Sequence, residues 1–181
     1  MSAATSDEII DLMRQANRFR FENPSEARRR YTDAIEGSRE PELKRELIRA
    51  LKGLGQVERD AGNLSSALSL YEEAVTHCRA NGDALLLAHT VRHVGDIHQD
   101  MNRDDLAEPC YREALGIYRS SEPDRLDLAN AVRPLALLKE NAGEIAEAKQ
   151  LWAEARDLYS MSNVPQGVKE CTRRLKLLED S

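Results

Sequence analysis

Apolar residues recur along the chain at intervals of three and four positions, which is the spacing of one face of an α-helix. Ile48, Leu51, Leu54 and Val57 show this spacing, and it returns in later stretches. Clusters containing glycine, asparagine or proline separate the stretches, and no segment alternates apolar and polar residues as a strand would. The pattern predicts about nine helices, over residues 6–21, 24–37, 41–60, 64–80, 83–101, 104–119, 123–142, 145–160 and 165–179.

Marker residues return every 40 or 41 positions. The aromatic markers are Tyr31, Tyr71, Tyr111 and Trp152, and an alanine stands four residues before and three residues after each of them. A small side chain lets two helices cross closely while the aromatic fills the space beside it. The period therefore predicts four stacked helix-turn-helix repeats with a capping helix. Their expected bounds are about 6–38, 41–80, 83–120 and 123–160, with the cap at 165–179.

Two prolines fall inside the predicted helices. Proline lacks a backbone N–H and disturbs the helix interior. Pro109 lies near the start of its helix, so its effect should be small. Pro134 lies deeper, so we expect either a bend in that helix or a later start.

The amino-acid composition excludes some classes of protein and of partner. Hydrophobic residues make up 41% and charged residues 32% of the 181 positions, which is typical of a folded chain with a charged surface. The 26 basic and 32 acidic residues give a net charge of −6, which disfavours a nucleic-acid partner. The longest apolar run, at 84–88, is too short to span a membrane, and the N-terminus lacks the features of a signal peptide. We expect a soluble, cytoplasmic protein with no membrane partner.

Catalytic chemistry has little support in the sequence. Cys78, Cys110 and Cys171 are odd in number and lack metal-type spacing, which favours a reduced intracellular protein with unpaired thiols. A nucleophilic cysteine also needs a base and an orienting group nearby, and none of the three has an evident set. We therefore expect no enzyme activity, no catalytic residue and no cofactor.

His89 and His93 are candidates for a metal site, because they are four residues apart on one predicted helix and Asp96 follows three residues further on. Two imidazoles and a carboxylate can bind zinc at this spacing. The segment lacks the glutamate of a zinc-protease motif and an obvious fourth ligand. A pair of surface histidines without a metal is the preferred interpretation.

Three successive repeats share one order of residues. The matching runs are Leu51-x2-Leu54-Gly55 with Ala67-x3-Tyr71, Val91-x2-Val94-Gly95 with Ala107-x3-Tyr111, and Val132-x2-Leu135-Ala136 with Ala148-x3-Trp152. This order resembles the tetratricopeptide repeat, and the long period is similar to the variety found in kinesin light chains. Glu58, His98 and Lys139 stand where that family commonly has a first-helix tyrosine. The resemblance implies an all-α, right-handed superhelical solenoid of about four repeats plus a C-terminal capping helix.

In such arrays the first helices line a concave groove that binds a peptide or a helix. The resemblance thus implies a non-catalytic scaffold or adaptor for protein–protein interaction. The family's groove positions fall on Arg49, Lys52, Gln56, Arg59, His89, Arg92, Asp96, Gln99, Asn130, Arg133 and Leu137. In the first repeat a phase shifted by one residue would turn Leu12, Ala16 and Phe19 inward and place Met13, Asn17 and Arg20 in the groove.

Lys52, Arg92 and Arg133 occupy the same position in three successive repeats, and we call them the basic column. A basic stripe in an acidic protein favours an acidic partner, and the planar arginine fork suits carboxylates. The column therefore predicts a groove for an acidic peptide or a chain-terminal carboxylate. The alternative is pairing with groove carboxylates of the chain itself, which requires no ligand. The candidates for that pairing are Asp60, Asp96, Asp100 and Glu140.

Two other functions remain open at this stage. The array could self-assemble into a homo-oligomer through its end helices, using Val164, Val168, Leu175, Leu177 and Leu178. It could also be a regulatory module that senses a small acidic ligand, for which the basic column is the only support.

Overall fold

The computed structural model describes residues 4–179 of the chain, and these residues form nine α-helices and no strand. The helices are α1 (Ser6–Phe19), α2 (Pro24–Gly37), α3 (Lys44–Asp60), α4 (Leu64–Asn81), α5 (Ala84–Asp100), α6 (Asp104–Arg119), α7 (Arg125–Asn141), α8 (Ile145–Met161) and α9 (Pro165–Glu179). The all-α prediction is confirmed, and most helix ends lie within two residues of the predicted positions.

Local chemistry at the helix starts explains the largest differences. Pro41–Leu43 forms a 3₁₀ turn, so α3 begins at Lys44 rather than at Pro41. The carboxylate of Asp124 accepts a hydrogen bond from the backbone N–H of Leu126 at 2.7 Å. Asp124 is therefore the N-cap of α7, and the predicted start at residue 123 was two residues early.

The chain divides into two compact units, Met1–Asp83 and Ala84–Ser181, which we call unit 1 and unit 2. In unit 1, α1 packs on α2, α3 packs on α4, and α2 packs on α3. In unit 2 the same arrangement joins α5 to α6, α7 to α8 and α6 to α7, and α9 packs on α8. Each unit is thus built from helical hairpins in chain order, and the division falls between the second and third predicted repeats. A single array over the whole chain stays a prediction.

Small residues and aromatics form the core of both units, as their spacing predicted. The eight marker alanines are fully buried, and the four marker aromatics are at most 6% exposed. At two of these helix contacts, a glycine on the first helix lets the helix backbone lie close to the aromatic ring of the second helix. A methyl group added at Gly55 would lie 2.8 Å from the Tyr71 ring, and one at Gly95 would lie 2.7 Å from the Tyr111 ring.

The three residues that replace the family's first-helix tyrosine are buried. Glu58 accepts hydrogen bonds from Arg28 at 2.5 Å and from Asn63 at 2.6 Å. Lys139 is 3% exposed, and its Nζ lies 2.6 Å from a Glu108 carboxylate oxygen. These two positions therefore hold ion pairs of opposite polarity.

The first repeat agrees with the predicted phase at the residues expected to face inward. Ala16 is buried, and Leu12 and Phe19 are half-buried, in agreement with their predicted inward direction. Met13 is half-buried and packs against a core cluster that includes Ala16 and Tyr31, and its place in the groove stays a prediction.

The helix α7 continues through Pro134, which is buried, and begins nine residues earlier. The helix therefore does not start near Pro134, and the alternative, a bend at Pro134, stays a prediction. The helix α6 likewise continues through Pro109, whose side chain is exposed.

Most of the apolar residues considered for self-assembly belong to the fold of unit 2. Leu178 is 6% exposed, and Val164, Val168 and Leu175 pack against the unit 2 core. Leu177 is 52% exposed. Self-assembly through the end helices stays a prediction.

Candidate functional site

The predicted groove residues lie on the first helices of the hairpins: α3 in unit 1, and α5 and α7 in unit 2. We call the exposed and half-buried side chains of α1 and α3 the first-helix face of unit 1, and those of α5, α7 and α9 the first-helix face of unit 2. In three hairpins the aromatic of the second helix donates a hydrogen bond to a side chain on this face. The pairs are Tyr71 Oη to Gln56 at 3.4 Å, Tyr111 Oη to Asp96 at 3.1 Å and Trp152 Nε1 to Glu140 at 2.8 Å. The same aromatic side chains therefore pack in the core and hold polar side chains of the first-helix faces in place.

In unit 1 an ion pair joins the C-cap residue of α1 to the last residue of α3. Arg20 donates from Nε to Asp60 Oδ2 at 2.5 Å, and Gln56 donates to the other carboxylate oxygen at 3.0 Å. Burial by itself would raise the pKa of Asp60, but the hydrogen bonds from Arg20 and Gln56 and the nearby positive charges outweigh burial and lower that pKa. Arg49 is exposed, and Lys52 and Arg59 are half-buried.

In unit 2 the predicted residues of α5 form one polar cluster. Arg92 Nη1 lies 3.0 Å from Asp96 Oδ2, and His93 Nδ1 lies 3.0 Å from the same oxygen. Tyr111 also donates to Gln99 at 3.2 Å. The side chains of Arg92 and Asp96 are 14% and 13% exposed, so this guanidinium is largely enclosed by its own carboxylate.

The α7 part of the face is tied to α8 and α9. Arg133 donates two hydrogen bonds, each 2.9 Å long, to the two carboxylate oxygens of Glu170 on α9. Asn130 accepts a hydrogen bond from the Tyr159 hydroxyl at 2.9 Å. The hydrogen bond from Arg133 lowers the pKa of Glu170 and, in return, raises the pKa of Arg133, so the pair is charged at neutral pH.

A second pair of opposite polarity links α7 and α9. Arg174 Nη1 lies 2.9 Å from Glu140 Oε1, and its guanidinium carbon lies 5.8 Å from the centre of the Trp152 ring. Since the Trp152 indole donates to the other oxygen of Glu140, this carboxylate is held from two sides. Leu137, the one apolar residue predicted on this face, packs against the unit 2 core.

Within unit 2 both members of the basic column have carboxylate partners. Arg92 pairs with Asp96, one of the carboxylates named for this purpose, whereas Arg133 pairs with Glu170, which the sequence did not single out. The two arginines differ in exposure, because the Arg133 side chain is 42% exposed and the Arg92 side chain 14%. Arg133 is therefore the more accessible to a carboxylate from outside.

The helix α9 supplies functional candidates that the sequence interpretation missed, because it was treated only as a cap. Arg173 stands 40 residues after Arg133, which is one period further along the chain. The same period relates the buried Cys171 to Ala131 and the buried Leu178 to Leu138. Continuing the repeat count into α9 would have placed Arg173 in the basic column.

Metal binding and thiol chemistry have no built site in residues 4–179, where no group of three or more His, Cys, Asp or Glu side chains converges to hold an ion. The rings of His89 and His93 lie 4.7 Å apart. Burial raises the pKa of the Cys171 thiol to about 11, so at neutral pH this cysteine is a protonated, poorly nucleophilic side chain. Across the same residues, no helix has the length and apolar character required to cross a membrane.

Comparisons with known proteins agree with this geometry. Residues 46–120 match the sequence model of the family described as tetratricopeptide repeat. The comparison with curated proteins gave no match. The kinesin-light-chain-like variety is not tested by the family match and stays a prediction.

Three solved structures share the fold at low sequence identity. Aspartyl phosphate phosphatase F from Bacillus subtilis is 12% identical with a TM-score of 0.85, over 92% of this chain and 44% of that one. The apo form of RapI is 15% identical with a TM-score of 0.83, over 98% of this chain and 64% of that one. BtubC (BKLC) from P. vanneervenii is 16% identical with a TM-score of 0.72, over 96% of this chain and 80% of that one.

The chain thus spans less than two thirds of the length of the first two of these proteins, and identities this low bear on fold alone. Fold and family match nevertheless agree, because the matched residues 46–120 contain four of the eight marker alanines and two of the four marker aromatics, all of them buried. Residues 46–120 therefore carry the tetratricopeptide-repeat pattern, and residues 4–179 form an all-helical repeat fold of the same type.

Proposed function

We propose that the chain is a non-catalytic scaffold that binds a partner protein on its first-helix faces, through an acidic peptide or helix of that partner. The observation that carries the proposal is the basic column, in which Lys52, Arg92 and Arg133 hold one position through three successive repeats of a chain with net charge −6. An acidic chain repels acidic partners in general, so cations repeated at one position of the first helices direct such a partner to those helices.

Recognition would use a surface that is formed before the partner arrives. Gln56, Asp96 and Glu140 are held by aromatics of the second helices, and Asp60 is held by Arg20. Side chains fixed in this way lose little conformational entropy on binding, so the ordering cost falls mainly on the partner segment. The odd number of cysteines, without metal-type spacing, favours a reducing compartment and supports the cytoplasm as the place of action.

The proposal requires no catalytic group on this chain. One structure of similar fold is named as a phosphatase, but at 12% identity that likeness concerns the fold and transfers no activity. Interaction with a partner is the function that the repeat architecture supports best.

Crosslinking from two faces of the same hairpin tests the proposal. Arg49 is exposed on α3, and Glu72 is exposed on the second helix α4, so each can be replaced by a photoreactive benzoylphenylalanine. Both proteins would be irradiated in native lysate at equal concentration, after circular dichroism has shown equal helix content. Adducts would be identified by mass spectrometry.

The scaffold proposal predicts one dominant adduct from position 49, mapped to an acidic segment of the partner, and little adduct from position 72. Equal adducts from both positions, or a dominant adduct from position 72, would contradict binding on the first-helix face. An adduct from position 49 that maps to a basic or neutral segment would contradict the acidic chemistry alone.

A further inference from the structure

The basic column continues on α9. Arg173 follows Arg133 by 40 residues, and buried residues of α9 follow those of α7 by the same interval. Arg173 is exposed, and among residues 4–179 it makes no ion pair within 4 Å and no side-chain hydrogen bond. By contrast, Arg92 is largely enclosed with Asp96. The accessible cations of the column in unit 2 are therefore Arg133 and Arg173.

We propose that an acidic partner segment binds unit 2 at Arg133 and Arg173, across α7 and α9, and that Glu170 competes with the partner for Arg133. This inference rests on the proposed function and names the residues of unit 2 that carry it. The partner is a peptide segment with two or more Asp or Glu side chains, one for each arginine. Carboxylates are the expected groups because Arg133 already binds the carboxylate of Glu170.

The contact between Glu170 and Arg133 shows how that arginine takes a carboxylate. Both oxygens of Glu170 accept from Arg133, from Nε and Nη2, at 2.9 Å each. This is the planar two-point geometry that an aspartate or glutamate of a partner would use. The side chains are 42% exposed for Arg133 and 27% for Glu170, so the pair borders on solvent and can be exchanged for another carboxylate.

Charge around Glu170 favours an additional acid. The hydrogen bond from Arg133 contributes most to the lowered pKa of Glu170, and the positive charges of Arg133, Arg174 and Arg173 add to it. Arg174 is shared with Glu140. Three guanidinium groups thus face two carboxylates, which leaves one positive charge for a partner to neutralise.

Fluorescence anisotropy with a labelled peptide of ten glutamates tests the inference at low ionic strength. The substitutions are Arg173→Gln, Arg133→Gln, Glu170→Gln and Arg92→Gln, with Arg119→Gln as the control. Arg119 is 53% exposed on α6 and pairs with Glu154, so the control removes the same charge away from the first-helix face. Thermal melts would establish that every variant is folded at the assay temperature.

We expect Arg173→Gln and Arg133→Gln each to weaken peptide binding by about three- to fivefold, the range for single exposed ion pairs. Glu170→Gln should tighten binding by a similar factor, because Arg133 loses its internal competitor. Arg92→Gln and Arg119→Gln should have little effect. If Glu170 only stabilised the fold, the Glu170→Gln substitution would instead weaken binding of the peptide.

Equal weakening by Arg119→Gln and Arg173→Gln would overturn the inference, because binding would then reflect general charge attraction. If Arg92→Gln weakened peptide binding and Arg173→Gln did not, the binding site would lie on α5 and the inference would be overturned. The proposed function would still stand. Absence of peptide binding in both the wild type and Glu170→Gln would also overturn it. Position 49 lies in unit 1, so crosslinking from it tests the proposed scaffold function independently of the site in unit 2.

Discussion

The backbone of Gly95 on α5 lies directly beside the ring of Tyr111 on α6, so that a methyl group at Gly95 would be 2.7 Å from Cε1 of Tyr111. Tyr111 is fully buried and therefore has no free space into which to move. The glycine in the repeat pattern is thus a packing requirement of this hairpin.

Gly95→Ala should lower the free energy of unfolding by about 1–3 kcal/mol, because overpacking outweighs the better helix propensity of alanine. Gly116→Ala is the matched control, since Gly116 lies inside α6 and a methyl group there would meet nothing within 4 Å. That variant should be more stable than the wild type by about 0.5–1 kcal/mol. Urea denaturation measures both, and a stabilised Gly95→Ala would contradict the close contact.

Lys139→Met should destabilise the protein by about 2–4 kcal/mol. The Lys139 side chain is 4% exposed, and its Nζ lies 2.6 Å from Glu108 and 2.9 Å from Glu144. Removing the lysine leaves these acids without their shared cation. Lys149→Met, at a half-buried position on α8, is the comparison and should change stability by less than about 0.5 kcal/mol. Similar small effects in both variants would show that the Lys139 pairs contribute little.

Acid should destabilise the protein partly through Glu108. The hydrogen bond from Lys139, above all, holds the pKa of Glu108 below its ordinary value of 4.5. The unfolded chain therefore binds a proton at this site more readily than the folded chain. The stabilisation from Glu108 is fully present above about pH 4.5 and is lost as the pH falls through the lower, folded-state pKa.

The measurement is the unfolding free energy of the wild type and of Glu108→Gln between about pH 3 and pH 7. The variant should lose less stability than the wild type as the pH falls. Glu122→Gln, at an exposed position between α6 and α7, should keep the acid dependence of the wild type. Parallel curves for the wild type and Glu108→Gln would contradict the assigned cause.

His98→Leu should raise the stability of the protein by about 1 kcal/mol. His98 is 8% exposed, and its Nδ1 atom is buried without a hydrogen-bond partner among the described residues. An unsatisfied buried nitrogen is costly, and leucine removes it at similar volume. His77→Leu, at a half-buried position on α4, is the control for removing a histidine. A lower melting temperature in His98→Leu than in the control would mean that Nδ1 is satisfied in solution.

The helices and their core contacts could be predicted from the sequence because each depends on residues close in the chain. Ala67 and Tyr71, for example, are four residues apart on one helix, and their period marks every repeat. Helix ends were less predictable, since the start of α7 depends on the Asp124 cap beside Pro123.

Long-range pairs could not be predicted in the same way. Arg133 and Glu170 are 37 residues apart, and neither residue is unusual in its own helix. Glu58 and Lys139 appeared as two departures from a family tyrosine, whereas the structure gives each a partner of opposite charge, Arg28 and Glu108. Such pairs depend on which side chains meet across helices, and a repeat period does not encode this.

The central claim is that a partner binds through the basic column on the first-helix faces. Its most direct test uses the partner segment that crosslinking identifies. The affinity of this segment is measured for a variant protein that combines Lys52→Gln, Arg92→Gln and Arg133→Gln. The control combines Arg29→Gln, Arg112→Gln and Arg119→Gln, which remove the same charge from the second helices α2 and α6. We predict that the first variant binds about tenfold more weakly, or worse, and that the control binds like the wild type. Unchanged affinity in the first variant, or equal loss in both, would contradict the claim.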